Sequence, residues 1–486
     1  MEEVLEFELI KNRAIKGVLA LTSRTFLLQL TAIGATFLLT IFLQPEEFGV
    51  FFVVSAVVNF LIYFSDIGLA AALIQKKELI SKEDLKTTFT IQQVLVLLLV
   101  LLSLFFSARI AQFYHLSPQG LWLFRALVFS FFLSSLKTIP SIILERGLYF
   151  NKLIIPGIIE TLLFYITAVV LAWHGWGITS FTVAVLVRGF SGLIAIYLLA
   201  PWKPSIGIIR ESAKKLLSFG VPFQLNSLLA LIKDDLLIAY LGRVLTFTQV
   251  GYIGWGQKWA FFPLRFFMDS INKVTFPAYS RIQHQKDILG KAIEKSVYFI
   301  SLSIFPTLTG LMLAAPYFVS FFPQYQKWQP ALIPLTFFCI NALFSSISTT
   351  LTNALNATGR IKITLYLMVF WTTATWVLTI LFIRTFGYNG VAFASAAVAA
   401  TSWITVIITQ RIIPFKFLVN IKDAVVATFI MGIVFYLLSP VIIKNMLSLG
   451  IMIFICVAFY FSVILILGKR KLLLELKIFR KKRHLA

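Results

Sequence analysis

Apolar runs of about 20 residues, separated by short polar loops, repeat along the whole chain. About fourteen can be drawn: 17–43, 48–74, 88–109, 120–144, 153–172, 179–200, 217–241, 247–280, 293–322, 329–355, 362–384, 388–411, 423–442 and 449–467. At about 1.5 Å of rise per residue, each is long enough to cross a hydrocarbon core of about 30 Å. The pattern predicts an all-α polytopic membrane protein with about fourteen transmembrane helices. No region is left over for a separate soluble domain. The start, MEEVLEFELIKNRAIK, is polar and acidic, unlike a cleavable signal, so the first run is expected to stay as an anchor.

Composition agrees. Hydrophobic residues are 59% of the 486 and charged residues only 13%, against roughly 25% in a soluble domain. The net charge of +23 would point to nucleic acid in a soluble protein. Here its position explains it. Of the 43 Lys and Arg, 30 fall in loops on one side of the predicted spans, 5 on the other and 8 inside spans. Basic loops stay in the cytoplasm, so both termini are expected there. Cys339 and Cys456 lie within apolar runs and imply no disulfide framework. The four histidines are scattered without metal-ligand spacing.

The segment Pro201–Ser218 divides the chain. Its prolines, basic residues and amphipathic SIGIIRESAKKLL pattern predict a helix on the cytoplasmic surface. The flanking halves resemble one another. Glu47-Phe48-Gly49-Val50-Phe51 aligns with Gln249-Val250-Gly251-Tyr252-Ile253 at an offset of 202, and Phe64-Ser65-Asp66 with Phe267-Met268-Asp269 at 203. Trp176-Gly177 aligns with Asn389-Gly390 at 213. An even number of spans per half makes the repeats parallel. The expected organisation is a six-helix lobe at 1–200, an amphipathic linker at 201–216, a second six-helix lobe at 217–412, two additional spans at 413–468 and a basic tail at 469–486.

The chemistry lies in charges inside spans. The embedded cations are Arg24, Arg125, Lys137, Arg188, Lys233, Lys258, Arg265 and Lys273, and the embedded acids Asp66, Glu160, Asp234, Asp235 and Asp269. A charge at the bilayer centre costs at least about 2.5–3.5 kcal/mol and marks a polar cavity or a pairing partner. Arg125 and Lys137 lie nearer span ends, where snorkelling to the interface is the simplest expectation. Lys258, Arg265, Asp269 and Lys273 are spaced by seven, four and four, which puts them on one helix face within roughly 80°. One reading is an internal ladder, Arg265–Asp269–Lys273, that glues helices together. The other is a cationic face lining a water-filled cavity for an anion. Arg188 sits mid-span and takes the same assignment. Arg24 and Asp66 fall at similar depth in spans 1 and 2, either as a helix pair or as an anion contact tuned by a carboxylate. Asp235 is a candidate for proton or cation coupling. The Asn356-Ala357-Thr358 sequon falls on the cytoplasmic side and is discounted.

In sequence order, the chain carries Pro45-Glu46-Glu47-Phe48-Gly49, then Asp66-Ile67-Gly68-Leu69-Ala70, then Asp235-Leu236-Leu237-Ile238. Phe276-Pro277-Ala278-Tyr279-Ser280-Arg281 and Ala354-Leu355-Asn356-Ala357-Thr358-Gly359-Arg360 follow. In these motifs it resembles the polysaccharide flippases of the O-antigen and teichuronic-acid type, within the MOP superfamily shared with MATE exporters. The resemblance implies a MATE-like, V-shaped pair of six-helix lobes plus two C-terminal helices, and alternating access in the bacterial cytoplasmic membrane. It implies an undecaprenyl-diphosphate-linked oligosaccharide as substrate, contacts with membrane lipids and polysaccharide assembly enzymes as partners. With that substrate, Arg24, Arg188, Lys258, Arg265 and Lys273 are the expected diphosphate contacts. Asp66, Asp235 and Asp269 are the expected charge-tuning or ion-coupling groups. No cofactor is expected beyond a coupled proton or cation, and no nucleic acid. A cationic-drug exporter of the same fold would want an acidic cavity instead. A membrane glycan polymerase or ligase would want a large outer loop carrying catalytic groups. Neither feature is present in the sequence, and neither is GxxxxGK[ST].

Overall fold

The computed structural model describes residues 27–76, 78, 80–225 and 228–483. Within these ranges the side chains at 222, 223, 225, 269, 270, 273 and 468–483 lie outside the description. The chain forms two compact units, Met1–Gly251 and Tyr252–Ala486. Among the described residues all regular structure is helical.

In the first unit the helices are α1 (Leu27–Phe42), α2 (Pro45–Tyr63), α3 (Leu69–Gln75), α4 (Lys82–Phe105), α5 (Ser107–Tyr114), α6 (Pro118–Ser135), α7 (Thr138–Arg146), α8 (Phe150–Trp173) and α9 (Thr179–Leu199). Then come α10 (Arg210–Leu225), α11 (Leu228–Lys233), α12 (Asp235–Val244) and the start of α13 (Phe247–Arg281). The helix starts follow from local chemistry. Ser81 accepts the Asp84 N–H at 3.0 Å and Asp84 accepts the Ser81 N–H at 3.1 Å, a reciprocal cap on α4. Pro45 and Pro118 stand in the first turns of α2 and α6, where a missing N–H costs nothing.

Expected spans 2, 4 and 7 are broken within their length. Span 2 turns at Phe64–Gly68, where Ile67 (φ 48°) and Gly68 (φ 72°) are both left-handed. Span 4 bends by 42° between α6 and α7. Span 7 breaks at Asp234, between α11 and α12. A break frees backbone groups that hydrocarbon cannot satisfy, and polar side chains gather there. The Asp66 carboxylate accepts the Ala70 N–H at 3.2 Å. The Tyr197 hydroxyl donates to the Leu136 carbonyl at 3.2 Å. Gln92 donates to Thr138 at 2.9 Å, and Gln93 to Ser135 at 3.1 Å.

The linker packs onto this unit. Its helix, expected from Ser205, begins only at Arg210. Residues 201–209 run without helix along α4, where the Gly207 and Ile209 N–H groups donate to Thr90 and Thr87 at 2.8 and 3.1 Å. Ser212 donates to Asp84 at 2.9 Å, and Leu216 is buried among Leu69, Leu73, Phe89, Ile139 and Ile142. Where α10 crosses the span 2 break, a Cβ on Gly68 would lie 2.2 Å from the Gly220 carbonyl oxygen, so the two backbones touch.

The second unit holds the rest of α13, then α14 (Lys286–Phe321), a 3-10 turn at Pro323–Ala331, α15 (Leu332–Ala357), α16 (Ile361–Phe386), α17 (Asn389–Ala400), α18 (Trp403–Ile412), α19 (Phe417–Ile442) and α20 (Met446–Arg483). One core joins Tyr279, Leu289, Ile293, Leu351 and Phe417. A second joins Met431, Phe435, Met452 and Tyr460 of α19 and α20.

Ten helices among the described residues are long and apolar enough to cross a membrane, or eleven with α6 and α7 as one bent span. They correspond to expected spans 2–6 and 9–14. Expected spans 1, 7 and 8 fall outside for identifiable reasons: α1 is described only from Leu27, span 7 is in pieces, and α13 carries the charged stripe.

Candidate functional site: charged groups within the helical bundles

In the first unit three charges from three parts of the chain meet. Lys137 sits in the bend between α6 and α7, and its Nζ lies 2.6 Å from Glu160 Oε1 on α8. Glu160 Oε2 lies 3.8 Å from Arg188 Nε on α9. The Lys137 and Glu160 side chains are each 14% exposed, whereas Arg188 is 55% exposed. The Arg188 guanidinium also lies 6.0 Å from the centre of the Phe164 ring. Glu160 fits against α9 because Gly192 stands opposite, where a Cβ would fall 1.9 Å from Oε1. A cavity of about 230 Å³ opens beside the pair, lined by Lys137, Ser141, Pro156, Gly157 and Glu160. It is polar and roomy enough for water.

This corrects the expectation that Lys137 snorkels to an interface. The bend places it inside the bundle, held by a carboxylate. Arg125 does reach a polar neighbour near its span end, donating to Ser107 at 3.2 Å and lying over Trp122. Glu160 is legible in the sequence as an embedded acid, but its partners are not. The sequence signal was depth: Glu160 stands ten residues from the start of α8 and Lys137 nine from the end of α7, both measured from the basic end.

The other acids of this unit are bound to local structure. Asp66 caps the first turn of α3. Its proposed partner, Arg24, lies outside the described residues. Asp235 opens α12 and accepts the Asn59 amide at 3.2 Å.

In the second unit α13 has two faces. Gly256, Ala260, Pro263 and Met268 are buried, and a Cβ on Gly256 would meet the Leu335 backbone nitrogen at 2.8 Å. Lys258 and Arg265 point the other way and are exposed, near enough for their charges to interact. Among the described residues neither has a carboxylate within ion-pair distance. Asp269 and Lys273 lie on the same helix, but their side chains are outside the description, so the ladder reading concerns atoms beyond it. The structure therefore groups Arg188 with Lys137 and Glu160, and Lys258 with Arg265. Among the described residues, no three His, Cys, Asp or Glu side chains are arranged to hold a metal.

A family model described as polysaccharide biosynthesis protein matches residues 38–333, more than half of the chain. The chain belongs to that family. The resemblance read from the motifs is thereby upheld. This polysaccharide biosynthesis family member is 24% identical over 335 residues to the lipopolysaccharide biosynthesis protein WzxC of Escherichia coli strain K12, covering 68% of this chain and 66% of that one. It is 22% identical over 275 residues to the succinoglycan biosynthesis transport protein ExoT of Rhizobium meliloti strain 1021, covering 56% and 55%. With the teichuronic acid biosynthesis protein TuaB of Bacillus subtilis strain 168 the values are 23% over 305 residues, covering 62% of each chain. The chain thus spans less than two thirds of the length of each of these relatives. Its fold is similar to a structure titled lipid II flippase MurJ, inward closed conformation, with a TM-score of 0.77 at 16% identity over 93% of this chain and 99% of that one. It is also similar to an inward-facing multidrug resistance MATE family transporter of the MOP superfamily, with a TM-score of 0.60 at 14% identity over 78% and 94%. The MATE-like, all-α fold class is the one expected.

Proposed function

We propose that this protein is a transporter that flips an undecaprenyl-diphosphate-linked oligosaccharide from the cytoplasmic to the outer leaflet by alternating access. The supporting observation is the set of embedded cations with exposed side chains. Arg188 stands on a helix apolar enough to cross a membrane, Lys258 and Arg265 share one face of α13, and the carboxylate near Arg188 already belongs to a lysine. A cation held in such a place calls for an anion or for water. A diphosphate supplies the anion, and guanidinium groups match phosphate oxygens in pairs. The names of WzxC, ExoT and TuaB place those relatives in polysaccharide or teichuronic acid biosynthesis, which supports a lipid-linked glycan as cargo.

In this proposal Arg24, Arg188, Lys258, Arg265 and Lys273 contact the diphosphate or the adjoining sugars, and Asp66, Asp235 and Asp269 tune charge or couple an ion. The test is flipping of a fluorescent lipid-linked oligosaccharide in vesicles reconstituted with the purified protein. Wild type should move it, and Arg265→Ala should be folded but impaired by tenfold or more. Export by a well-folded Arg265→Ala at the wild-type rate would sink the anion mechanism. Uptake of cationic dyes with no movement of the glycan lipid would favour the drug-exporter reading.

A further inference from the structure

We infer that Glu160 is a resident counter-ion for Arg188, a carboxylate that partly neutralises the guanidinium with or without substrate and so sets how readily the substrate leaves. The inference deepens the proposed function and rests on its assignment of Arg188 to the diphosphate.

The geometry is asymmetric. Oε1 is committed to Lys137 at 2.6 Å, while Oε2 stands 3.8 Å from Arg188 Nε, within attraction but beyond hydrogen-bond length. Both side chains of the Lys137–Glu160 pair are largely covered, and the guanidinium is the exposed member. Arg188 is thus partly neutralised without being consumed, and among the described residues its other nitrogens meet no second carboxylate. Lys137 keeps the carboxylate in place when phosphate arrives, so Glu160 need not move out to make room. Two positively charged groups flanking one carboxylate leave the cluster at +1. That charge attracts an anion less strongly than two cations without the carboxylate would.

Gly192 makes the arrangement testable, because Glu160 can be displaced without losing its charge. A methyl at position 192, one turn from Arg188 on α9, would overlap Oε1, Cδ and Cγ of Glu160 at 1.9, 2.3 and 2.5 Å. The flexible carboxylate arm must then swing away from α9 and from Arg188.

The experiment measures binding of undecaprenyl diphosphate to the full-length protein in nanodiscs, with inorganic pyrophosphate as a second arm, alongside turnover in vesicles. Glu160→Gln and Gly192→Ala should each bind the lipid diphosphate roughly 5- to 10-fold more tightly while turning over more slowly, because release is hindered. Lys137→Met/Glu160→Gln removes the pair whole and leaves the cluster at +1, as in wild type, so it should bind the lipid diphosphate less tightly than Glu160→Gln. The effect must pass through Arg188, so Glu160→Gln/Arg188→Gln should bind no more tightly than Arg188→Gln alone.

Wild-type affinity in Gly192→Ala, or an equal gain from Glu160→Gln with and without Arg188, overturns the inference. A purely structural Glu160 would lower the folded amount and leave the affinity of the folded fraction unchanged, which also overturns it. Binding of pyrophosphate with these same dependences, but none of the lipid diphosphate, would uphold the counter-ion and defeat the proposed substrate.

Discussion

Gly49 of α2 and Gly251 of α13 meet backbone to backbone, and the contact is reciprocal. A Cβ on Gly49 would lie 1.8 Å from the Phe247 carbonyl oxygen, and one on Gly251 would lie 1.9 Å from the Pro45 carbonyl oxygen. Both residue pairs are related by the offset of 202 that aligns the two halves in sequence. Gly49→Ala and Gly251→Ala are therefore each expected to lower the melting temperature and the folded yield, and by similar amounts. Ala is ordinarily favoured over Gly in a helix by about 0.5–1 kcal/mol. Gly34→Ala, which meets nothing within 4 Å, is the control and should be neutral or stabilising. Thermal unfolding in detergent reads all three.

The Lys137–Glu160 pair should behave as a buried ion pair in stability as well. Removing one partner of such a pair typically costs about 3–5 kcal/mol, while replacing both is far milder. Lys137→Met should therefore destabilise more than Lys137→Met/Glu160→Gln, although the second carries the additional substitution. The reverse order in a melting series would mean that the pair is solvated through the adjoining cavity.

Asp66 separates a cap from a charge. Losing the acceptor for the Ala70 N–H should cost Asp66→Ala about 0.5–2 kcal/mol, and Asp66→Asn should restore most of it, since an amide oxygen also accepts. If Asp66→Asn melts like wild type yet transports poorly, the negative charge has a role beyond α3. Full transport by Asp66→Asn would remove Asp66 from the ion-coupling candidates.

Orientation follows from the basic loops. Single cysteines at Glu46 and Gly175 should react with an impermeant maleimide added outside intact cells, and cysteines at Lys82 and Lys286 only after the cells are opened. All four positions are exposed in the fold. The opposite pattern would turn the protein over in the membrane.

The sequence carried the apolar helices well because their length and composition are local properties. It carried the breaks poorly. The stretch SSLKTIPS at 134–141 is polar and holds Pro140, a local bend signal, but residues 120–144 taken whole read as one apolar span, and that a bend there folds a lysine inward is tertiary information. Arg188 was legible from its mid-span position alone. Its neighbour Glu160 was visible as an embedded acid, but pairing α7 with α8 and α9 is tertiary information. The linker misled in another way. Ile206, Ile208 and Ile209 fit a helical stripe, yet Thr87 and Thr90 capture the adjacent N–H groups and hold the segment out of helix until Arg210. The stripe on α13 was readable to Arg265, where a packed glycine–alanine face opposite it decides which way the cations point.

The break at Asp234 bears on how the chain is made. α12, with 10 residues, cannot cross a bilayer alone, and Lys233, Asp234 and Asp235 meet at the break that precedes it. Such a segment partitions weakly as it leaves the ribosome. Its support is α2, against which α12 packs and whose Asn59 meets Asp235 from 176 residues earlier in the chain. Synthesis from the N-terminus delivers α2 first, so the order of translation provides the template that this segment needs to settle in the membrane. A circular permutation that placed α2 after α12 would keep every contact of the finished protein and remove that template.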